Sequence, residues 1–287
     1  MDDYTFRYKE DGVLLNSDVS LPFVDITRVE GLSSAPGRIT ERDREGQDGG
    51  FVDAEFEKIR TVIVEGTVYA DTSQIETFMD ELKKNYALSK ASYPFYFRAP
   101  GTNDRVVFCK SYGLVSEWGL GRRIGEAPFQ VTLVAEDPRI YDAVPVSDST
   151  ELFSGDVEGY SYNKAYNYGY GTPIFGGNVS LYNAGNRDTG ATITIRGPID
   201  NPVVEHDETA RHLEFEISLA YDQYLVIDLR KRSVLLNGAT TRRSTMTNTS
   251  RWFMLQPGVN NLRFQGSDPI SGDPDPIMTV EMRGAYR

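Results

Sequence analysis

The chain has 287 residues, 39% of them hydrophobic, with 17 tyrosines and 14 phenylalanines, enough apolar mass to fill two cores of ordinary domain size. Its net charge of −12 works against attachment to nucleic acid, which needs clustered Lys and Arg to displace counterions from phosphates. The single cysteine, Cys109, excludes an internal disulfide, and its apolar setting RVVFCKSY predicts a buried, inert thiol.

The opening MDDYTFRYKE starts with two acids and lacks a basic stretch followed by an apolar core, so no signal peptide is expected. No apolar run approaches the roughly 18 residues of a membrane helix, so the expectation is a soluble protein made in a cytoplasm, with no membrane partner. The charge divides into −8 over residues 1–145 (17 basic, 25 acidic) and −4 over the remainder (13 basic, 17 acidic).

In chain order, LPFVDITRVE reads as a strand. Residues 31–57 follow as a charged, glycine-rich passage, long enough inside a compact domain to suggest an extended loop or long hairpin with a function. TVIVEGTVYA (61–70) alternates as a strand and runs into DTSQIETFMDELKKNYALS. There Ile75, Phe78, Met79 and Leu82 recur at helical spacing, and Asp71 or Thr72 is placed to cap, which predicts one helix over about 71–86. Three more strands are expected at YPFYFRAP, RVVFCKSYGLVSEW and APFQVTLVAE, joined through GTND and GLGRRIGE as hairpin loops. In the last of these strands Phe129, Val131 and Leu133 share one face, and Asp137-Pro138 stops it because proline cannot donate to a ladder.

Beyond Tyr141 the stretch DAVPVSDSTELFSGDVEG has the composition of a linker. A run of five tyrosines follows (Tyr160, Tyr162, Tyr166, Tyr168, Tyr170). Segment 143–178 leaves open an extra strand or an arm. From Val179 onward short alternating runs separated by Gly, Asn and Pro indicate an antiparallel sandwich without helices.

Chemistry is sparse in this sequence, and no catalytic, cofactor-binding or metal-binding residue is assigned. His206 and His212 stand six apart, a poor chelating spacing, in NPVVEHDETARHLEF, which reads as a solvated, charged turn. The glycine patterns YGYGTPIFGG and GLGRRIG lack the strand-to-helix setting that would converge amides on a phosphate. With 42 acids, carboxylate pairs of the glycosidase kind are neither supported nor excluded by counting. The tyrosine run is either an aromatic platform for sugar rings or a clamp holding the linker to the sandwich.

One ordered set of marks is more specific. It begins with F-x-V-x-L-x-x-x-D-P-x-x-Y (Phe129, Val131, Leu133, Asp137, Pro138, Tyr141), then N-x-G-N (Asn183, Gly185, Asn186) and G-P-x-x-N-P (Gly197, Pro198, Asn201, Pro202). L-V-I-D-L (Leu225–Leu229) and V-L-L-N-G (Val234–Gly238) come next, and W-x-x-L-x-P-G-x-N-x-L-x-F (Trp252, Leu255, Pro257, Gly258, Asn260, Leu262, Phe264) is last. Asn237-Gly238 is a type I′ hairpin signal, and Pro257-Gly258 predicts a tight turn with Trp252 and Phe264 on neighbouring strands filling the sandwich. The order resembles the distal tail protein family of siphoviruses, the bacteriophages with long, non-contractile tails, over roughly residues 20–287.

That resemblance implies a mainly β fold. It places a tail-tube-like β-barrel or split-barrel domain with one helix over 1–145, and a linker plus galectin-like antiparallel β-sandwich over 146–287. It further implies a structural, non-enzymatic virion protein of the tail tip. Six copies would form a ring joining the tail tube protein to a tail-tip spike or fibre protein, with a tape measure protein as a further partner and DNA passing through the lumen. The passage 31–57 is then expected at subunit or lumen contacts, with an acidic lumen that repels DNA. The alternative is a carbohydrate-binding module whose tyrosines or Trp252 contact host-wall sugars.

Overall fold

The computed structural model describes residues 4–16, 21–33, 36–38, 41–48, 50–52, 56–152, 177–267 and 276–287. These fall into two compact units, residues 1–144 with 286–287, and residues 145–285.

The first unit contains β1 (Phe6–Tyr8), β2 (Leu14–Leu15), β3 (Phe23–Glu30), β4 (Gly37–Arg38), β5 (Glu41–Asp43), β6 (Gly50–Val52), β7 (Phe56–Glu57) and β8 (Arg60–Tyr69). Helix α1 (Ile75–Asn85) follows, then β9 (Tyr93–Phe97), β10 (Arg105–Ser116), β11 (Glu126–Ala135) and β12 (Ile140–Asp142). The main sheet runs β2-β1-β9-β10-β11-β8-β3, antiparallel throughout, with β12 also on β10.

Of the two forms expected, barrel or split barrel, the closed barrel is absent. Between its two ends, β2 and β3, Asn16 N–H donates to Val24 O at 2.8 Å. Two-residue β2 is too short to carry a ladder, and Asn16 sits at φ 60°, which turns the chain out of extended geometry.

Strand β10 bends this sheet. Its first half pairs with β9 and its second with β11, and the register slips by one residue between Ser111 and Leu114. Gly113, at φ 106°, supplies the left-handed residue of the bulge. Helix α1 covers β8, β10 and β11 and buries Ile75, Met79 and Leu82, each contributing roughly 1.5–3 kcal/mol. Contrary to expectation, neither Asp71 nor Thr72 caps this helix through its side chain. Its N-cap is Gln74, because Asp71 O first accepts from the N–H groups of Gln74 and Ile75 in a preceding turn. Cys109 lies at the centre of this core with no exposure.

The second unit is a sandwich whose two sheets share one core. Its strands are β13 (Val146–Glu151), β14 (Gly177–Asn183), β15 (Ala191–Arg196), β16 (Ile199–His206), β17 (Arg211–Glu214) and β18 (Ser218–Leu219). They continue as β19 (Tyr224–Asp228), β20 (Ser233–Leu236), β21 (Thr240–Thr241), β22 (Gly258–Ser267), β23 (Ile277–Met282) and β24 (Ala285–Tyr286), the last of which ends in a residue of the first unit. One sheet is ordered β13-β23-β15-β19-β20-β21, and the other β14-β22-β16-β17 with β18 on β16. Alternation is strict: Val179 and Leu181, Ile193 and Ile195, Leu262 and Phe264, and Met278 and Val280 all point inward.

Of the two alternatives left open for segment 143–178, its first described part holds an extra strand, since β13 pairs with β23 from Val146 to Glu151. Two expectations for this unit are corrected. His206 is not a solvated residue; it is fully buried at the end of β16. Trp252 does not sit on a strand beside Phe264; it is half-buried in an irregular stretch, and the next residue, Phe253, fills the core instead. The hairpin at Asn237-Gly238 forms as predicted, with φ 50° and 68° at the two residues and Ala239 N–H donating to Leu236 O at 3.1 Å. The tyrosine run 160–170 lies outside the described residues.

Candidate subunit interface

Large apolar side chains in water are distributed very unevenly between the units. Of the 18 such residues exposed among the described residues, 14 belong to the first unit and four (Val146, Tyr182, Tyr221, Val259) to the second. The densest group lies on the β10–β11 hairpin, where Tyr112, Val115, Trp118, Leu120 and Ile124 are each 66–79% exposed. Exposed apolar side chains grouped in this way are a candidate interaction surface.

The hairpin is built to hold that surface out. After β10, Leu120–Ile124 form a short 3-10 turn that Gly125 closes at φ 86°. Arg122 points inward from this turn, with its side chain only 7% exposed. Its Nη1 donates to both carboxylate oxygens of Glu76 on α1, at 2.6 and 2.7 Å, and its Nη2 donates to Ser116 Oγ at 2.9 Å. The guanidinium also lies 4.3 Å from the centre of the Trp118 ring. One buried cation thus ties the hairpin to the helix and backs the most exposed aromatic residue with a cation–π contact. In the sequence, Arg122 looked like one more charge in a glycine-rich loop.

A second apolar group lies on the passage 31–57, which is a long hairpin as anticipated. Strand β4 pairs with β7, and β5 with β6. Phe51, Phe56 and Ile59 are 55–57% exposed. Arg38 stacks over Phe56 and Arg44 over Phe51, at 5.5 and 4.5 Å. The root of this arm is held by Arg60, which is 1% exposed. Its guanidinium donates to the carbonyls of Gly31, Ser33 and Pro138, and burial lowers its pKa. No signal in the sequence distinguished Arg60 from an ordinary strand-end charge.

Several of the polar marks singled out in the sequence hold turns and strand ends together. The Tyr141 hydroxyl donates to Asp137 Oδ2 at 2.5 Å across the turn at Pro138. Buried Asn183 accepts from the N–H groups of Gly185 and Ala285 and donates to Arg187 O. Asn260 spans the turn at Pro257-Gly258, accepting from Gln256 N–H at 2.7 Å and donating to the carbonyls of Gln256 and Gly258. His206 Nε2 faces Asn260 Oδ1 and Glu208 Oε2, both at 3.1 Å, so it carries the proton, and Nδ1 accepts from Thr209 Oγ1 at 2.8 Å. His212 sits one strand away on β17, opposite Glu205. No group of three or more metal-ligating side chains converges among the described residues, and no helix there is long and apolar enough to cross a membrane.

Residues 184–272 match the family model of the siphovirus-type tail component, C-terminal domain. No match was found among curated proteins. Among solved structures the chain is similar to SPP1 Dit, described as a paradigm of the hub adsorption apparatus in phages that infect Gram-positive hosts. The TM-score is 0.64 at 14% identity, over 98% of both chains. It is also similar to a chain of the phage P2 baseplate in its activated conformation, with Ca or with Sr, at TM-scores of 0.53 and 0.54 and 11% identity, again over 98% of both chains. At these identities the likeness is one of fold, and it spans both units. Residues 184–272 are thus similar to the siphovirus-type tail component C-terminal domain, and the chain as a whole shares its fold from end to end with SPP1 Dit.

Proposed function

We propose that this protein is a structural hub of a phage tail tip, present in the virion and without catalytic activity. Six copies close into a ring through their first units, joining the tail tube on one side to a spike or fibre protein on the other. DNA passes through the middle. The observation that carries this reading is the fold shared over 98% of both chains with a hub protein. The concentration of exposed apolar side chains on the first unit supports it independently.

A cyclic ring needs two different surfaces on each subunit, because every contact is heterologous. The first unit has two separate apolar groups, the β10–β11 hairpin and the arm at 31–57, which suit the two sides of such a contact. Among the described residues β3 forms a ladder only with β8, and apart from the bond of Asn16 to Val24 its other edge is the kind that proteins cover by pairing or packing. The arm carries seven acids and three arginines, a net charge of −4, half of the −8 over residues 1–145. Facing the lumen, it would let a polyanion slide past without sticking.

Light scattering on size-exclusion fractions tests the ring. The expected mass is six times 32.2 kDa, with negative-stain images showing a six-fold ring and a central hole. Replacing Trp118 and Leu120 by Asp is expected to return the protein to single copies while it stays folded. A monomeric unsubstituted chain at high concentration, or a double variant that still forms rings, overturns the proposal.

A further inference from the structure

We propose that a cleft in the second unit binds an anionic saccharide, a pyranose ring bearing a carboxylate or phosphate. The cleft has a volume of about 240 Å³, and Trp252, Leu229 and Phe253 are among the residues that line it. That is below the roughly 300–1,000 Å³ of sites for drug-sized ligands and suits a single ring. The Arg243 guanidinium lies over the Trp252 ring at 5.8 Å, and the indole with its apolar neighbours offers a weakly polar surface of the kind that packs against the C–H face of a sugar.

Charge selects among sugars. Arg211 and Arg232 both line the cleft, against one acid, Asp188. The half of the chain around them is net negative, so two guanidinium groups here make a local exception. Arg232 has no ion-pair partner among the described residues, and Arg211 spends one nitrogen on Trp252 O at 3.1 Å. Planar, multiply donating cations of this type recognise carboxylate and phosphate oxygens. Gln256 and Thr209 supply neutral polar groups for ring hydroxyls.

The lining is preorganised. Phe253 stacks on the buried His206 ring at 5.0 Å between centroids, and His206 in turn holds the Thr209 hydroxyl. Trp252 Nε1–H is buried and has no acceptor among the described residues. These features do not depend on ring assembly, so this proposal and the hub reading stand or fall separately.

The chain contains two tryptophans, so Trp118→Phe leaves Trp252 as the sole indole reporter. Full-length protein with this substitution is titrated with glucuronic acid, glucose 1-phosphate, glucose and inorganic phosphate. The two anionic sugars are expected to change Trp252 emission saturably, with Kd of roughly millimolar order, and glucose and phosphate each to bind at least about tenfold more weakly. Arg232→Asn is the selective variant. Arg232 sits at φ 52°, which asparagine tolerates, so the fold and the mass of the assembly are expected to persist while anionic-sugar binding weakens at least about tenfold. Absence of saturation with both anionic sugars, or no effect of Arg232→Asn, overturns the site. Phosphate binding as tightly as glucose 1-phosphate overturns the saccharide assignment and leaves a bare anion hole.

Discussion

The Arg122–Glu76 pair makes an asymmetric prediction. The Arg122 side chain is 7% exposed and the Glu76 side chain 45% exposed, so the two partners pay differently for losing each other. Glu76→Gln leaves a guanidinium buried without its counter-charge. The full penalty for orphaning a buried ion is about 3–5 kcal/mol, and the contacts to Ser116 and Trp118 that remain reduce it here to about 2. Arg122→Met leaves a carboxylate that simply hydrates, while methionine keeps the buried stem volume. That costs about 1 kcal/mol, most of it the cation–π contact with Trp118 and a half-exposed ion pair. The double variant removes the orphaned charge and is therefore expected to be more stable than Glu76→Gln alone. Pulsed alkylation of Cys109 against urea, at fixed protein concentration, follows the unfolding of the first unit specifically, because this sole thiol lies in its core. Additive losses in the double variant, or Arg122→Met costing more than Glu76→Gln, would refute the reasoning.

Asn260→Ala strips the turn at Pro257-Gly258 of three hydrogen bonds and leaves the Gln256 N–H without that acceptor, so thermal melts should show a loss of about 2–3 kcal/mol. Tyr141→Phe removes one hydroxyl bond to Asp137 and should cost about 1 kcal/mol by urea titration; no loss would mean the turn at Pro138 needs no staple. Burial pushes the Cys109 thiol up from 9.0 to about 12, and burial followed by the Cys109 charge pushes the Tyr8 hydroxyl up from 10.0 to about 12. The folded chain therefore keeps protons that the unfolded chain releases. This stability is intact below about pH 9 and falls toward pH 12, by about 1.4 kcal/mol per pH unit for each group titrating only in the unfolded state. Cys109→Ala should flatten the decline that begins near pH 9, as read from urea midpoints by tyrosine absorbance; an unchanged slope refutes it.

Strands whose two faces differ in polarity were legible from the sequence. Arg60–Tyr69, Glu126–Ala135 and the strands around Ile193, Ile227 and Val280 announce themselves through alternation, and α1 through its 3.6-residue repeat. The buried polar residues were misread for one shared reason. Where a polar side chain points inward, its satisfaction depends on partners distant in sequence: His206 needs Asn260, and Arg60 needs the carbonyls of Gly31 and Pro138. Local pattern reads such residues as surface. Strand β13 stayed an undecided alternative for a different reason, since five of its six residues are exposed and only its pairing with β23 makes it a strand. The apolar hairpin was also hidden, because Val115, Trp118 and Ile124 look like core until Arg122 is seen to occupy the inside instead.

The energetics of the hairpin surface bear on how assembly should proceed. Its five exposed apolar residues offer roughly 1.5–3 kcal/mol each on full burial, so one interface built on them contributes roughly 5–10 kcal/mol after partial burial. Bringing two chains together costs about 4–15 kcal/mol, so a single such contact is marginal. In the proposed closed ring of six, however, five association steps create six interfaces. The last contact forms within an already assembled chain of subunits and costs little further freedom. Dimers and trimers should therefore be scarce relative to single copies and closed rings. Native mass spectrometry across a dilution series checks this: two dominant species are expected, and Leu120→Ala should shift the crossover to higher concentration without populating intermediates. Stable dimers over a wide concentration range would mean that a larger contact than the hairpin drives association, and the assignment of the interface would have to move.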